Sequence, residues 1–535
     1  ARTPAKSLRP TICHSPETDQ PTDPVQVSIA PKSKRMSGKT VVEWRVVSSR
    51  VVSSRVVSSR KMTLFRAGVF LAVAAACVAQ PVFTDSFPPE EFATRRAKVM
   101  AVVGDGVAIL QGTTERPGEQ PLRQSNQFFY LCGVVEPRAI LLIDGRTKSS
   151  TLFLQPRVER REQMMYGPGL SPGEEAAKAT GIGSVRAREE FKAALEAVAK
   201  EGRPIYTPFR PEVLGSASSS DPLALAKATK ADPWDGRSSR EEAFRAHLDA
   251  ISPTSKIQDL DPALDLMRGT KSAREIAVMR EATRITGLGI IEAMRDAKPG
   301  MFEYELQADA EFVFKKYGAY GPSYFALIAT GKNTWYSHYH RDTAKLADGD
   351  LVLFDYAPDY RNYQSDVTRV FPANGKFTPR QREFYTIYLR LYQALMTSIE
   401  VHKRPADIVK AAVVKMDRIM AGYRFTDERI KAAAAQFVER YRTSRANSLG
   451  HTIGLEVHDV GNPTETLEPG QLFTIEPAMK IPEEHLGLRL EDMILMTETG
   501  YENLSAFVPV EIADIEKMMA GHHGLSDALW RPGLR

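Results

Sequence analysis

The sequence predicts an α/β domain followed by an α+β domain, and three observations lead there. Between Phe128 and Lys200, apolar runs of strand length are followed by a helical stretch. A long, capped, amphipathic helix then starts at Ser272. From Leu327 onward, short apolar runs end in carboxylates, the pattern of buried strands delivering side chains to a polar site. With 535 residues, 43% of them hydrophobic, the chain can fill two or more ordinary cores.

Residues 1–61 are rich in Pro, Ser, Thr and Lys and show no periodic apolar face. The pentapeptide RVVSS repeats from Arg45 to Ser59, which reads as a translated tandem repeat, so a disordered or mistranslated leader is expected, with Met62 as the true start. Residues 62–79 have the outline of a signal peptide: Arg66, an apolar stretch from Ala67 to Ala76, then small residues up to Ala79. The stretch is short for a stable membrane span, so export is expected, periplasmic or secreted. Cys77 leaves open a lipid-anchored form, and an unused signal would leave the chain cytoplasmic.

The formal charge of +5 divides unevenly. Residues 1–80 carry 13 basic and 4 acidic side chains, leaving 58 basic against 62 acidic in the remainder. The body is mildly acidic, and no nucleic-acid partner is indicated. Cys13, Cys77 and Cys132 make no disulfide framework. No P-loop or Rossmann glycine fingerprint is present.

An amino-terminal domain is expected over residues 84–262. Within it Phe128–Val135 and Ala139–Ile143 read as strands, Arg188–Lys200 as a helix, and the Ser-rich segment from Gly215 to Ser239 as a linker. The second domain is expected over residues 263–519, with a tail at 520–535 holding a solvated His522-His523 pair. Ser272 and Glu275 form a capping box, Ile276, Met279, Ala282 and Ile285 line one helical face, and Pro299-Gly300 stops the helix. A second helix is expected from Tyr304 to Tyr317.

The chemistry lies in five residues in or beside the apolar runs: Asp355, Asp366, His451, Glu476 and Glu491. A buried ionised carboxylate costs several kcal/mol unless paired or bound to a metal. Four carboxylates and one imidazole carry too much negative charge for one tetrahedral zinc, and suit two hard divalent ions sharing bridging carboxylates. If Asp355 and Asp366 lie on a hairpin with its turn at Tyr360-Arg361, they stand directly opposite on one face. A strand from Leu488 to Met496 would put Arg489 and Glu491 on one face and Asp492 on the other.

These motifs resemble the pita-bread metallopeptidases, and within them the aminopeptidase P and prolidase group. The family has an aspartate, a second one eleven positions on before T-R, then G-H-x-x-G-L-x-x-H-D, T-I-E-P and R-x-E-D, and this chain has all of them. The amino-terminal part resembles the creatinase/prolidase-like domain, giving a fold class of that α/β domain followed by an α+β pita-bread catalytic domain. The resemblance implies that Asp366 and Glu491 bridge two divalent ions, most commonly manganese, that Asp355 binds one of them, and that His451 with Glu476 completes the other. It further implies His338, His458, Glu476 and Arg489 as catalytic residues: Glu476 for proton transfer, the histidines for the substrate carbonyl or leaving group, and Arg489 for orienting the carboxylates or substrate. His340 is expected in a surface or supporting position.

The expected reaction is attack by a metal-bridged hydroxide that releases the amino-terminal residue from peptides with proline second. An Xaa-Pro dipeptidase is the alternative in the same class, and a pita-bread binding protein without turnover the alternative in another. The resemblance also implies a homodimer or homotetramer. The chain departs from the family pattern at Asn447, where a histidine is common, at Ala357 and Ala478, where glycine is usual, and at Lys480, where tyrosine is usual. Asn447 and Lys480 fall where the substrate pocket is expected.

Overall fold

The computed structural model describes residues 86–114, 122–155, 164, 169–212, 220–445, 448–461 and 466–520. The leader, the signal segment with Cys77, Asn447 and the His522-His523 pair lie outside the described residues.

The amino-terminal part is built on a six-stranded mixed sheet of order β4-β3-β2-β1-β5-β6. Its strands are β1 (Val107–Gln111), β2 (Ile140–Asp144), β3 (Ser149–Leu154), β4 (Ser184–Ala187), β5 (Ile205–Thr207) and β6 (Ile257–Asp259). Helix α1 (Pro89–Val103) covers one face, and its Phe92 and Val99 join Ala108 and Leu110 of β1 in the main core. Val107 and Ile109 point the other way, to a second core with Leu195 of the helix Phe191–Lys200 and Leu248 of the helix Arg240–Ile251. This is the period-two division expected of a sheet buried on both faces.

Two readings of this part are corrected. Phe128–Val135 is not a strand: Asn126–Cys132 forms a helix, α2, closed by Gly133 at φ 66. All but one of its residues are buried, which removes the helical periodicity, and seven residues are too few for length to separate helix from strand. A Cβ at Gly133 would lie 2.3 Å from the Phe92 ring, so glycine there serves both the left-handed cap and the close packing on α1. The second correction is in the Ser-rich segment, where Ser220–Ala231 is a helix carried by its Ala, Leu and Lys content.

The carboxy-terminal part begins with a helix, Asp261–Gly269, followed by the long helix Ala273–Asp296 and the helix Glu303–Lys316. The capping box of Ser272 and Glu275 is present in both directions. Among the described residues, four small sheets lie behind them. The short strands β7 (Gly321–Pro322) and β10 (Pro358–Asp359) pair with each other. Strands β8 (Leu327–Thr330), β9 (Leu351–Asp355) and β11 (Thr368–Pro372) form an antiparallel sheet with β9 in the middle. Strand β12 (Leu472–Ile475) pairs with β15 (Asp492–Thr497), which also pairs with β16 (Gly500–Asn503), while β13 (Ala478–Ile481) pairs with β14 (Leu486–Arg489).

The expected strand Leu488–Met496 is therefore two strands, broken at Leu490-Glu491, each paired to a different sheet. Helices Pro379–Met396, Pro405–Gly422 and Glu428–Thr443 pack outside. Among the described residues no helix is long and apolar enough to cross a membrane.

Candidate active site

The β9–β11 hairpin carries the first two carboxylates, with a register two residues from the symmetric expectation. Asp355 pairs with Thr368, not with Asp366. Tyr360 and Tyr363 exchange both backbone hydrogen bonds at 3.0 Å around Arg361 (φ 56) and Asn362 (φ 67), a two-residue turn with both central residues left-handed. The turn falls one residue later than expected. The offset is even, so both carboxylates stay on one face, and the buried Tyr324 hydroxyl lies 2.5 Å from Asp355 Oδ1 and 2.6 Å from Asp366 Oδ1.

His451 reaches the same place from a loop laid along β12. Thr474 N–H donates to the His451 carbonyl at 2.9 Å. Gly450 makes that approach possible: a Cβ there would lie 1.9 Å from the Thr474 carbonyl oxygen. The His451 Nδ1 lies 3.1 Å from the Thr452 carbonyl, which can only accept, so Nδ1 carries a proton and Nε2 is the ring nitrogen turned to the acids. That Nε2 stands 3.4 Å from Glu476, 3.6 Å from Asp366 and 3.7 Å from Glu491.

Glu476 follows β12 directly, and Glu491 sits at the break between β14 and β15. Thr368 ties that break to the hairpin, its carbonyl accepting from Glu491 N–H at 3.1 Å and its hydroxyl donating to Glu491 Oε2 at 2.8 Å. Arg489 pairs with Asp355 through one nitrogen and donates through another to the Ser337 carbonyl at 2.9 Å. Asp492, the first residue of β15, points away into a network with Arg369, Tyr392 and Ser505.

The five expected ligands thus converge. Asp366, His451 and Glu491 offer ligand atoms within 4.8 Å of one another, and Glu476 and Asp355 adjoin them. Ligands at about 2.1 Å from one ion stand about 3–3.5 Å apart, close to the separations here. His451 Nε2 and Glu491 Oε1 are buried without a hydrogen-bond partner, a cost that a cation between them removes. Electrostatics agree. Burial, then Glu491 and Asp355, push Asp366 well above the usual carboxylate range. Burial also raises Asp355, against the pull of Arg489, and burial with the Glu491 charge pushes Glu476 up to about 7. For Glu491 burial acts upward too, but His451 and Arg489 outweigh it and hold it low. The donor set fits divalent cations, which take the place of these protons.

The remaining expected residues sit around this cluster. His458 is exposed, with its ring 4.1 Å from that of His451. His338 is exposed on the loop that Arg489 holds at Ser337, its ring 6.5 Å from Phe325. His340 is exposed as well, against Phe325 and the His338 carbonyl. The pentapeptide Gly169–Gly173 has serine-elbow spacing, but Ser171 is exposed on the loop before the helix Glu174–Thr180.

Two supporting residues escaped the sequence reading. One is Tyr324, with its hydroxyl between two carboxylates. The other is Tyr388, whose fully buried hydroxyl accepts from Leu490 N–H at 2.6 Å and donates to the Pro477 carbonyl at 2.6 Å. It pins the strand ends carrying Glu476, Arg489 and Glu491. A buried phenol needs a partner, but nothing local in the sequence says which one.

Comparison with known proteins agrees with this geometry. Residues 277–498 match the model of metallopeptidase family M24, and residues 92–206 that of the aminopeptidase P amino-terminal domain. The chain is 34% identical to Xaa-Pro aminopeptidase of Haemophilus influenzae, over 81% of this chain and 97% of that protein. It is 31% identical to Xaa-Pro aminopeptidase of Escherichia coli, over 80% and 97%. Among solved structures, proline aminopeptidase P II from Yersinia pestis superposes with a TM-score of 0.63 at 31% identity, covering 81% of this chain and 99% of that one. A zinc-substituted aminopeptidase P of Escherichia coli with product superposes at 0.62 and 29% identity, covering 81% and 98%. The chain belongs to metallopeptidase family M24, in the aminopeptidase P and prolidase group, and is a metallo-aminopeptidase.

Proposed function

We propose that this enzyme removes the amino-terminal residue from peptides with proline at the second position, using two divalent ions held by Asp355, Asp366, His451, Glu476 and Glu491, with manganese the native metal. The observation that carries the reading is the buried convergence of these five side chains, with His451 Nε2 and Glu491 Oε1 left unpartnered among acids. Relatives named Xaa-Pro aminopeptidase, aligned over nearly their whole length, support the substrate class. When bound, the ions supply a nucleophile at neutral pH and polarise the scissile carbonyl.

The protein supplies position and proton handling. Glu476 is the most exposed of the four carboxylates, with 35% of its side chain accessible, and burial beside Glu491 sets it at about 7 in the metal-free site. It is placed to hold the proton lost by the attacking water and pass it to the imino nitrogen that leaves. His458 and His338 flank the open side and orient the substrate carbonyl. Arg489 pairs with Asp355, partly offsetting its burial, and fixes the Ser337–His338 loop beside it.

A second reading is favoured by relatives named Xaa-Pro dipeptidase, among them one from Pongo abelii at 27% identity over 82% of this chain. Substrate length separates the two. Metal-stripped enzyme refilled with manganese should release alanine from Ala-Pro-Ala, and Glu476→Ala should abolish it. Faster cleavage of Ala-Pro would make the dipeptidase reading the better one, and two bound metals without turnover of either would defeat both. We also propose export directed by residues 62–79, which cell fractionation tests.

A further inference from the structure

We propose that Lys480 makes this active site selective for substrates carrying a carboxylate, an inference that rests on the Xaa-Pro peptidase reading. Strands β13 and β14 pair with Ala478 opposite Arg489 and Lys480 opposite Gly487. Paired residues share a face, so Lys480 stands on the face from which Arg489 reaches Asp355. Opposite it Gly487 has no side chain, and a Cβ there would lie 2.4 Å from the Thr334 carbonyl, so the turn Gly331–Trp335 packs directly on the strand pair.

The ammonium is thereby held beside the loop that carries His338. Lys480 Nζ donates to Ser337 Oγ at 3.0 Å and lies 5.2 Å from the centre of the Trp335 ring, while Arg489 donates to the carbonyl of the same Ser337. Two cations therefore grip the residue next to His338. A third, Arg440, donates to the Ala478 carbonyl at 2.5 Å.

What distinguishes this corner is the missing counter-charge. Among the described residues no carboxylate lies within ion-pair distance of Lys480 or Arg440, whereas in the turn of the same hairpin Glu484 pairs with both Arg380 and Arg429. An ammonium has three donors, and Lys480 spends one on an oxygen and rests on a ring face. Half-buried, and beside Arg489 and Arg440, it gains from an anion more than a solvated surface lysine does. The matching ligand is a substrate carboxylate, either the α-carboxylate of a short peptide or the side chain of an acidic residue.

Two substrate pairs distinguish the sources: Ala-Pro against its amide, and Glu-Pro-Ala amide against Gln-Pro-Ala amide, each assayed at low and high salt. In wild-type enzyme one acidic member should win in kcat/KM by about fivefold or more at low salt. That ratio should fall below about twofold in Lys480→Gln, persist in Lys480→Arg and invert in Lys480→Glu, a reversal that a merely structural lysine does not give. Ratios below twofold for both pairs in wild type, or an unchanged ratio in Lys480→Gln, overturn the inference while leaving Xaa-Pro cleavage standing. If no peptide turns over, the peptidase reading fails, and the same ratios read as Kd on the manganese-loaded protein still decide the role of Lys480.

Discussion

Two buried charge clusters share the segment from His451 to Asp459, and their difference separates chemistry from architecture. At one end, His451 joins Asp355, Asp366, Glu476 and Glu491, where among the described residues Arg489 is the one permanent cation. At the other, Glu456 and Asp459 meet Arg268 and Lys271, two acids against two bases, with Asn126 of α2 also donating to Glu456. Burial alone raises Asp355, Asp366, Glu476 and Glu491 in the first cluster and Asp459 in the second. At Asp459, Arg268 and Lys271 overcome it and bring the group below its ordinary range; at Asp366, neighbouring acids add to it. The balanced cluster ties the helix Asp261–Gly269 to the loop that carries His451, with Asn126 and Gln127 as its hydrogen bonds to the amino-terminal part, and the unbalanced one has an excess of acids that cations would offset.

The largest effect tests the unbalanced cluster. On the proposed two-metal reading, Glu491→Gln or Asp366→Asn removes a ligand charge and should lower kcat/KM by about a thousandfold or more, and elemental analysis should show fewer than two ions per chain. In the metal-free state Asp366→Asn should leave stability unchanged or raise it, because it relieves repulsion among buried acids. A metal-free variant clearly less stable than its parent would refute this account of the cluster.

The balanced cluster should behave in the opposite way. Asp459→Asn leaves Arg268 and Lys271 facing one carboxylate in a buried setting, and should cost about 3–5 kcal/mol in urea unfolding. Manganese at saturation should not restore it. A loss below about 1 kcal/mol would mean that water, not Asp459, satisfies the two cations.

The pH dependence sharpens the contrast. Glu476, raised to about 7, holds its proton when folded at pH values where the unfolded chain has lost it. Folding then takes up protons, so the metal-free protein should lose stability as pH rises from about 4.5 through 7. Metal binding displaces those protons, and the loaded protein should not show this loss. Asp309, which burial and the neighbouring Asp296 push up to about 8, gives the same sign without metal involvement. Whatever slope survives in the loaded protein should shrink in Asp309→Asn. Thermal melts from pH 5 to 8.5, with and without chelator, measure both.

How much of this was legible in the sequence follows from where the information lies. The five proposed ligands lie in or beside apolar runs, where an ionisable side chain has few other uses, and in the order of a known set of motifs, so Asp355, Asp366, His451, Glu476 and Glu491 stood out before any coordinates. The hairpin register did not: nothing in the spacing of Asp355 and Asp366 places the turn at Arg361-Asn362, because either turn keeps both acids on one face. The break at Leu490-Glu491 was hidden since Leu488–Met496 reads as one continuous strand, and only pairing with two different sheets divides it. Tyr324 and Tyr388 were illegible for a plainer reason. Each meets partners tens of residues away, at Asp355 and Asp366 in the one case, at Pro477 and Leu490 in the other.

Tyr388 also gives the smallest expected effect, since it is uncharged support for charged chemistry. Its ring packs near Phe437, centres 6.1 Å apart, and Phe at this position keeps that contact while removing the hydroxyl. The Leu490 N–H and the Pro477 carbonyl would then be buried without this partner, for a cost of about 1–3 kcal/mol. These groups close the strand ends just before Glu491 and just after Glu476, so the loss falls on the spacing of two ligands. Tyr388→Phe should therefore keep its metals, weaken manganese affinity by about tenfold, and lower kcat while leaving KM nearly unchanged. A variant that loses stability but keeps both manganese affinity and kcat would make Tyr388 a packing residue, and would leave Thr368 as the main link that sets the distance between hairpin and break.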